Sequence, residues 1–218
     1  RHANQSLTDI EKIGFGWDCP HYVHEMPKVV DRIYNKYPDE DVTYNRIHEN
    51  RLFGNFNPLR LSSDLNYGLR RFGEILTEDK LVFFKHHLCH AASTFFPSGF
   101  TTASIIVLDG SGEQYTGGLY FGNKTDIECI EQFEIPNSLG GFYATFTEYL
   151  GFKSDSEEGK LMALASYGEY SQAIQDLLDD FISFDPDTEN FCYPSNIDLS
   201  VQGHIVRNSV ETVLPFIN

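Results

Sequence analysis

Three histidines fall within five positions, His86, His87 and His90, inside the stretch VFFKHHLCHAASTFF that begins at Val82. Neutral imidazoles bind divalent transition metals, and two of them four apart share one face of a helix, because four residues make just over one turn. Further on, the apolar run Ser104-Ile105-Ile106-Val107-Leu108 reaches Asp109-Gly110-Ser111-Gly112-Glu113. An aspartate at the end of a buried strand, followed by glycines, presents a carboxylate and open backbone N–H groups to a metal or a phosphate. His86, His90 and Asp109 together make a donor set for iron, manganese or zinc. An HxxxH pair alone is equally the mark of surface or internally satisfied histidines; the strand-end aspartate is what adds weight to the metal reading. The zinc-protease arrangement needs a glutamate directly after the first histidine as general base, and His87 stands there. Asp109 to Glu113 can also be an ordinary hairpin turn, but its place after an apolar strand favours phosphate contact. Cys89 points away from the face shared by His86 and His90 and is not counted as a ligand.

These groups need elements to hold them. Val82-Phe83-Phe84 reads as a short buried strand, followed by a helix from His86 that Pro97-Ser98-Gly99 ends. Upstream, Ile13-Gly14-Phe15-Gly16-Trp17-Asp18 reads as a buried strand carrying Asp18 at its C-terminal end. Residues 20–78 form a helical excursion between these two strands, with helical spacing at Val29, Val30, Ile33 and Tyr34 and again at Leu65, Leu69, Phe72 and Ile75. Arg51, Arg60, Arg70 and Arg71 lie on its solvated faces, where one or two could meet an anion. Downstream, strands Gln114–Gly122 and Ile127–Ile135 flank a turn at Asn123-Lys124-Thr125-Asp126. Pro136-Asn137-Ser138 caps a helix over Leu139–Leu150 with Gly140 and Gly141 in its first turn, a place where N–H groups can face an anion. A second helix starts near Ser156 and carries Lys160, whose charge by itself reads as solvated. A third spans 170–183, residues 184–196 read as loop, and 207–217 as the start of another helix.

The fold class is therefore α/β, with mixed sheets flanked by helices. A strand ending in Asp-Gly, a turn and two more antiparallel strands is how the phosphate-binding half of an actin-like (ribonuclease H-like) domain begins. The expected division is 1–102, with the helical insertion at 20–78, and 103–218.

The formal charge of −16 argues against nucleic acid as a partner, since such binders carry a basic face. Abundant aromatics, 18 Phe and 12 Tyr, supply a globular core. No run of 18 apolar residues is present and no signal peptide is visible. Cys19, Cys89, Cys129 and Cys192 form no CxxC pair and read as reduced, mostly buried thiols of a cytoplasmic protein. The start at Arg1 rather than Met reads as part of something longer.

Four blocks in order, HHLCHAASTFF, VLDGSGE, SLGGFYATFTEYLGF and EEGKLMALASYG, closely resemble the carbamoyltransferase family that includes NodU nodulation proteins and the cephalosporin and tobramycin carbamoyltransferases. The resemblance covers roughly residues 80–168, with Asp9 to Asp18 similar to the family's preceding strand, and is weak over 20–78 and beyond 185. It implies transfer of a carbamoyl group from carbamoyl adenylate, made from carbamoyl phosphate and ATP, to a hydroxyl of a small-molecule acceptor. His86, His90 and Asp109 match the family's metal ligands, with iron the first expectation. Gly110, Gly112, Ser138, Gly140 and Gly141 match glycine-rich loops that face the nucleotide, and Lys160 matches the lysine of the family's GE-x-K-x-M-x-L-A block. The family's glycine-histidine segment, a further metal-binding aspartate and the domain that makes carbamoyl adenylate have no match here. The chain alone is thus expected to turn over nothing. Actin-like domains of the tRNA threonylcarbamoylation and hydrogenase-maturation type, and a nucleotide-binding module without activity, are the alternatives. The acceptor and the oligomeric state are not legible.

Overall fold

The computed structural model describes residues 6–36, 54–135, 138–154, 156–181, 183–185 and 190–192. Arg51, Pro136-Asn137 and the expected helix at 207–217 lie outside these residues. The chain is mixed α/β and divides into two compact units: residues 1–103 with 112–114 and 122–127, and residues 104–111, 115–121 and 128–218.

In the first unit, β1 (Ile13–Phe15) pairs in parallel with β2 (Leu81–Phe83), Gly14 opposite Val82. A parallel pair needs a long crossover, and here it contains α1 (Cys19–Lys36) and α2 (Pro58–Leu69). β1 is shorter than the expected hexad and only partly buried, because the chain leaves it at Gly16 and Asp18 already starts α1. The Asp18 carboxylate accepts the His21 N–H at 3.2 Å, and Pro20 occupies the first turn, where no donor is lost. Cys19, Tyr22 and Val29 bury the inner face of α1. Asn57 caps α2 by accepting from Leu59 and Arg60 N–H at 3.0 and 3.3 Å. The apolar spacing expected to run on to Ile75 breaks at Gly73, whose φ of 70° ends the helical turn Arg70–Phe72 and leaves Phe72 and Ile75 exposed. Arg60, Arg70 and Arg71 are exposed as well. Asn66 then brackets Leu76, donating to its carbonyl at 3.0 Å and accepting its N–H at 2.7 Å, which buries Leu76 beneath α2.

The helix α3 runs from His86 to Ser98 and closes on Gly99 at φ 77°. Pro97 sits inside its last turn rather than beyond it. His87, Ala91 and Phe95, four apart in succession, are its buried residues. That choice of inner face turns His86 and His90 onto the neighbouring stripe. Phe95 fits because position 122 is glycine: a Cβ there would lie 2.6 Å from the Phe95 ring.

β3 (Thr102–Gly112), β4 (Tyr115–Asn123) and β5 (Asp126–Glu134) form a three-stranded sheet in that order. Connections of two residues, Glu113-Gln114 and Lys124-Thr125, make neighbours antiparallel. Two expectations are corrected here. β3 does not stop at Asp109 but continues to Gly112. Its apolar run is not buried throughout either: Ile105 and Val107 face inward while Ile106 and Leu108 are exposed, as the two-residue period of a strand dictates.

In the second unit α4 (Leu139–Tyr149), α5 (Glu158–Ala165) and α6 (Gln172–Phe181) come next, then a small antiparallel pair of β6 (Ser183–Asp185) and β7 (Asn190–Cys192), which begins at the last residue of the expected third helix and otherwise lies in the segment expected to be loop. Two buried hydroxyls of α4 are satisfied one turn back, Thr145 at the Gly141 carbonyl (2.9 Å) and Thr147 at the Tyr143 carbonyl (3.0 Å). No helix among the described residues is long and apolar enough to cross a membrane.

Phe95→Ala empties a closely packed site and is expected to lower unfolding free energy by about 3 kcal/mol, the usual cost of removing a buried aromatic. Urea unfolding checks this as a reduced midpoint at unchanged slope.

Candidate functional site

In the first unit the centre is His86, half-buried at the start of α3. Its Nδ1 stands 2.9 Å from the Gly16 carbonyl, which can only accept, so Nδ1 carries a proton, and in the neutral ring the lone pair is then on Nε2. That Nε2 lies 3.0 Å from Nε2 of exposed His90, one turn along. The ring is held from further sides. Trp17 tilts over it with centroids 4.7 Å apart, and Trp17 is itself stacked on Phe56 at 4.3 Å and 12°. Gly112 meets it from β3, close enough that a Cβ would fall 2.6 Å from its Cδ2. Glu113, only 3% exposed, accepts the His86 N–H at 3.2 Å and the Asp18 N–H at 2.8 Å. Gln114 completes this turn with its Oε1 2.6 Å from His21 Nε2.

His87, by contrast, is 1% exposed and belongs to the packing of α3. Gly16, Trp17 and Glu113 were not singled out by sequence reasoning. The one available signal was their place beside residues that were: Gly16 and Trp17 just before Asp18, and Glu113 at the end of the VLDGSGE block.

Both cysteines near these residues hold their protons. Cys19, fully buried, has its thiol pushed up to about 11, first by burial and then by the negative charges of Asp18 and Glu113. Cys89 is raised too, by burial and then by Glu113. Neither offers a ready thiolate ligand at neutral pH. Of the described cysteines, expected to be mostly buried, Cys19 is buried, Cys89 half-buried and Cys129 on β5 exposed.

In the second unit Asp109, half-buried, accepts the N–H of Gly110 at 2.7 Å. Ser138 caps α4, its hydroxyl accepting the Gly141 N–H at 2.8 Å while lying 2.7 Å from the Gly110 carbonyl and 3.1 Å from that of Asp109. Gly140 is where α4 meets β3: a Cβ there would lie 2.4 Å from the Asp109 carbonyl carbon and the Gly110 nitrogen. Gly110 has open space where its Cβ would be. Asp109, Gly110, Ser138, Gly140 and Gly141 are therefore gathered at one place. Lys160 is exposed on α5, paired with the Glu157 carboxylate, whose pKa it lowers, and 6.0 Å from the Phe152 ring centroid. Met162, Leu164 and Tyr167 of the same block are exposed.

Residues 26–209 match the family described as carbamoyltransferase N-terminus. A protein of Synechocystis sp. described as uncharacterized is 43% identical over 113 residues, 51% of this chain and 18% of its own length. An uncharacterized protein of Methanocaldococcus jannaschii is 31% identical over 172 residues, 76% of this chain and 31% of its own length. The nodulation protein NolNO of Sinorhizobium fredii is 36% identical over 100 residues, covering 46% of this chain and 15% of that protein. The chain thus spans under a third of the length of these relatives.

The Cys19 thiol gives a pH prediction. Between its ordinary value of 9.0 and about 11 the native state keeps a proton that the unfolded chain gives up. Its contribution to stability is complete below pH 9 and is lost as pH rises through 11. Denaturation midpoints across that range are expected to fall, and Cys19→Ala is expected to flatten the slope.

Proposed function

This chain belongs to the carbamoyltransferase family, and from that premise we propose that it is the metal- and nucleotide-binding part of an O-carbamoyltransferase with an actin-like fold. In the reaction proposed, the hydroxyl oxygen of a small-molecule acceptor bonds to the carbamoyl carbon of carbamoyl adenylate. The bond from that carbon to the phosphate oxygen breaks, AMP leaves, and the hydroxyl proton passes to the medium. The adenylate itself comes from carbamoyl phosphate and ATP.

The observation that carries the reading is the family match over 26–209, which includes the histidine pair and Asp109. The geometry of the pair suits a divalent metal. Two nitrogens each about 2.1 Å from one ion stand about 3.0 Å apart when at right angles, and the two Nε2 atoms are 3.0 Å apart. The donation of Nδ1–H to Gly16 gives His86 the tautomer a ligand needs. Asp109 is the proposed third ligand, on the ground that the family match includes it with the histidine pair. A bound metal, iron first with manganese and zinc as alternatives, supplies a Lewis acid that holds the adenylate phosphate and polarises the carbamoyl group.

The nucleotide-facing role falls to Asp109-Gly110 and the start of α4. The open side of Gly110 lets a phosphate approach the backbone, and the positive end of α4 favours an anion there. Gly140 and Ser138 contribute by bringing the helix end against β3. Lys160 reaches a phosphate by exchanging Glu157 for it; both partners are at the surface, where such pairs are weak. The order of a three-stranded meander and then α4 supports the actin-like assignment.

Elemental analysis of the purified chain loaded with iron, manganese or zinc tests the site. About one metal per chain is expected for the wild type, and near-complete loss for His86→Ala and for His90→Ala. Asp109→Asn is expected to weaken binding about tenfold or more, as loss of a charged ligand should. Unchanged metal content in His86→Ala would remove the assignment.

A further inference from the structure

The turn between β3 and β4 contains a residue that its backbone does not favour. Glu113 has a φ of 52°, the left-handed region that two-residue turns usually fill with glycine or asparagine. Its side chain is 3% exposed, and a buried carboxylate is tolerated only where hydrogen bonds replace water. Two backbone donors do so. The Asp18 N–H reaches Oε1 at 2.8 Å, and the His86 N–H reaches Oε1 at 3.2 Å and Oε2 at 3.3 Å.

Both donors come from places where a helix begins. His86 opens α3, and the first N–H groups of a helix have no partner within it. Lys85, which precedes it, provides no side-chain cap. Glu113 performs that capping from another strand and puts a negative charge at the positive end of the helix. Asp18 stands just before α1 and directly after Gly16 and Trp17, the two residues that hold the His86 ring by its Nδ1 and by its face. Next to Glu113, Gly112 packs on the Cβ and Cδ2 of His86.

We infer that Glu113 is a positioning residue for His86, one buried carboxylate that joins the histidine backbone to the segment holding its ring and so aims Nε2. It acts through His86 and touches no ligand. The inference rests on the proposal that His86 and His90 bind a metal.

Cobalt(II) is the probe, because its visible d–d bands report coordination geometry as well as occupancy. The purified chain is titrated with Co²⁺ as wild type, Glu113→Gln, Glu113→Ala and His90→Ala. The expected dissociation constant rises tenfold or more in Glu113→Ala, the usual range for groups that orient a ligand. Glu113→Gln, which keeps one oxygen able to accept both N–H groups, is expected to recover part of that loss, and both variants should change the band shape. If Glu113→Ala fails to fold, Glu113→Gln decides: wild-type affinity and wild-type bands in that variant overturn the inference. The two failures separate cleanly. Loss of the bands in His90→Ala with no effect at Glu113 leaves the metal reading standing and removes only the positioning role. Full binding in His90→Ala removes the metal reading, and the inference with it.

Discussion

The orientation of one imidazole ring is the constraint on which the first unit depends. A histidine pair at i and i+4 can point its nitrogens in many directions, and only one ring nitrogen of each can serve a common ion. The Gly16 carbonyl removes that freedom by accepting from His86 Nδ1 at 2.9 Å. It is delivered there by the β1–β2 pairing, which extends through the Phe84 N–H to Phe15 carbonyl bond of 2.9 Å immediately before Gly16. A strand of three residues is enough for that task. Trp17, the next residue along the chain, covers the ring with an aromatic contact of the kind worth about 1 kcal/mol.

The electrostatics of this region derive from the same arrangement. Asp18 and Glu113 set negative charge among buried groups, and their carboxylates accept from main-chain donors. The neighbouring thiols respond by keeping their protons. Cys89 lies inside the histidine helix, and burial first and then the Glu113 charge raise its thiol.

Much of this is legible in the sequence, where local chemistry is decisive. The histidine helix from His86, the meander with its turn at Lys124-Thr125 and the Ser138 cap of α4 all obey short-range rules. The features that are not legible depend on partners distant in sequence. Asp109 is expected to end its strand because glycines come after it, but β3 runs on to Gly112 because those residues are laddered to β4, and periodicity cannot report pairing. Glu113 reads as the last letter of a loop block, since nothing local says that a carboxylate will find the N–H of a residue 27 positions earlier. The hexad ending at Asp18 contains strand, turn and helix cap in succession, three structures with one apolar signature.

Glycine shows the same limit in a form that bears on function. A glycine-rich block is commonly taken as a cradle for phosphate, and Gly110, Gly112 and Gly140 all qualify by sequence. The space around them differs. Gly110 is open. Gly112 is filled by the His86 side chain, and Gly140 by the backbone of Asp109 and Gly110, so a methyl group at either would collide with protein rather than with ligand. Two of the three glycines therefore exist to let protein approach protein. A methyl group at Gly112 would displace His86 and one at Gly140 the end of α4, whereas Gly110 alone of the three has open space beside its backbone.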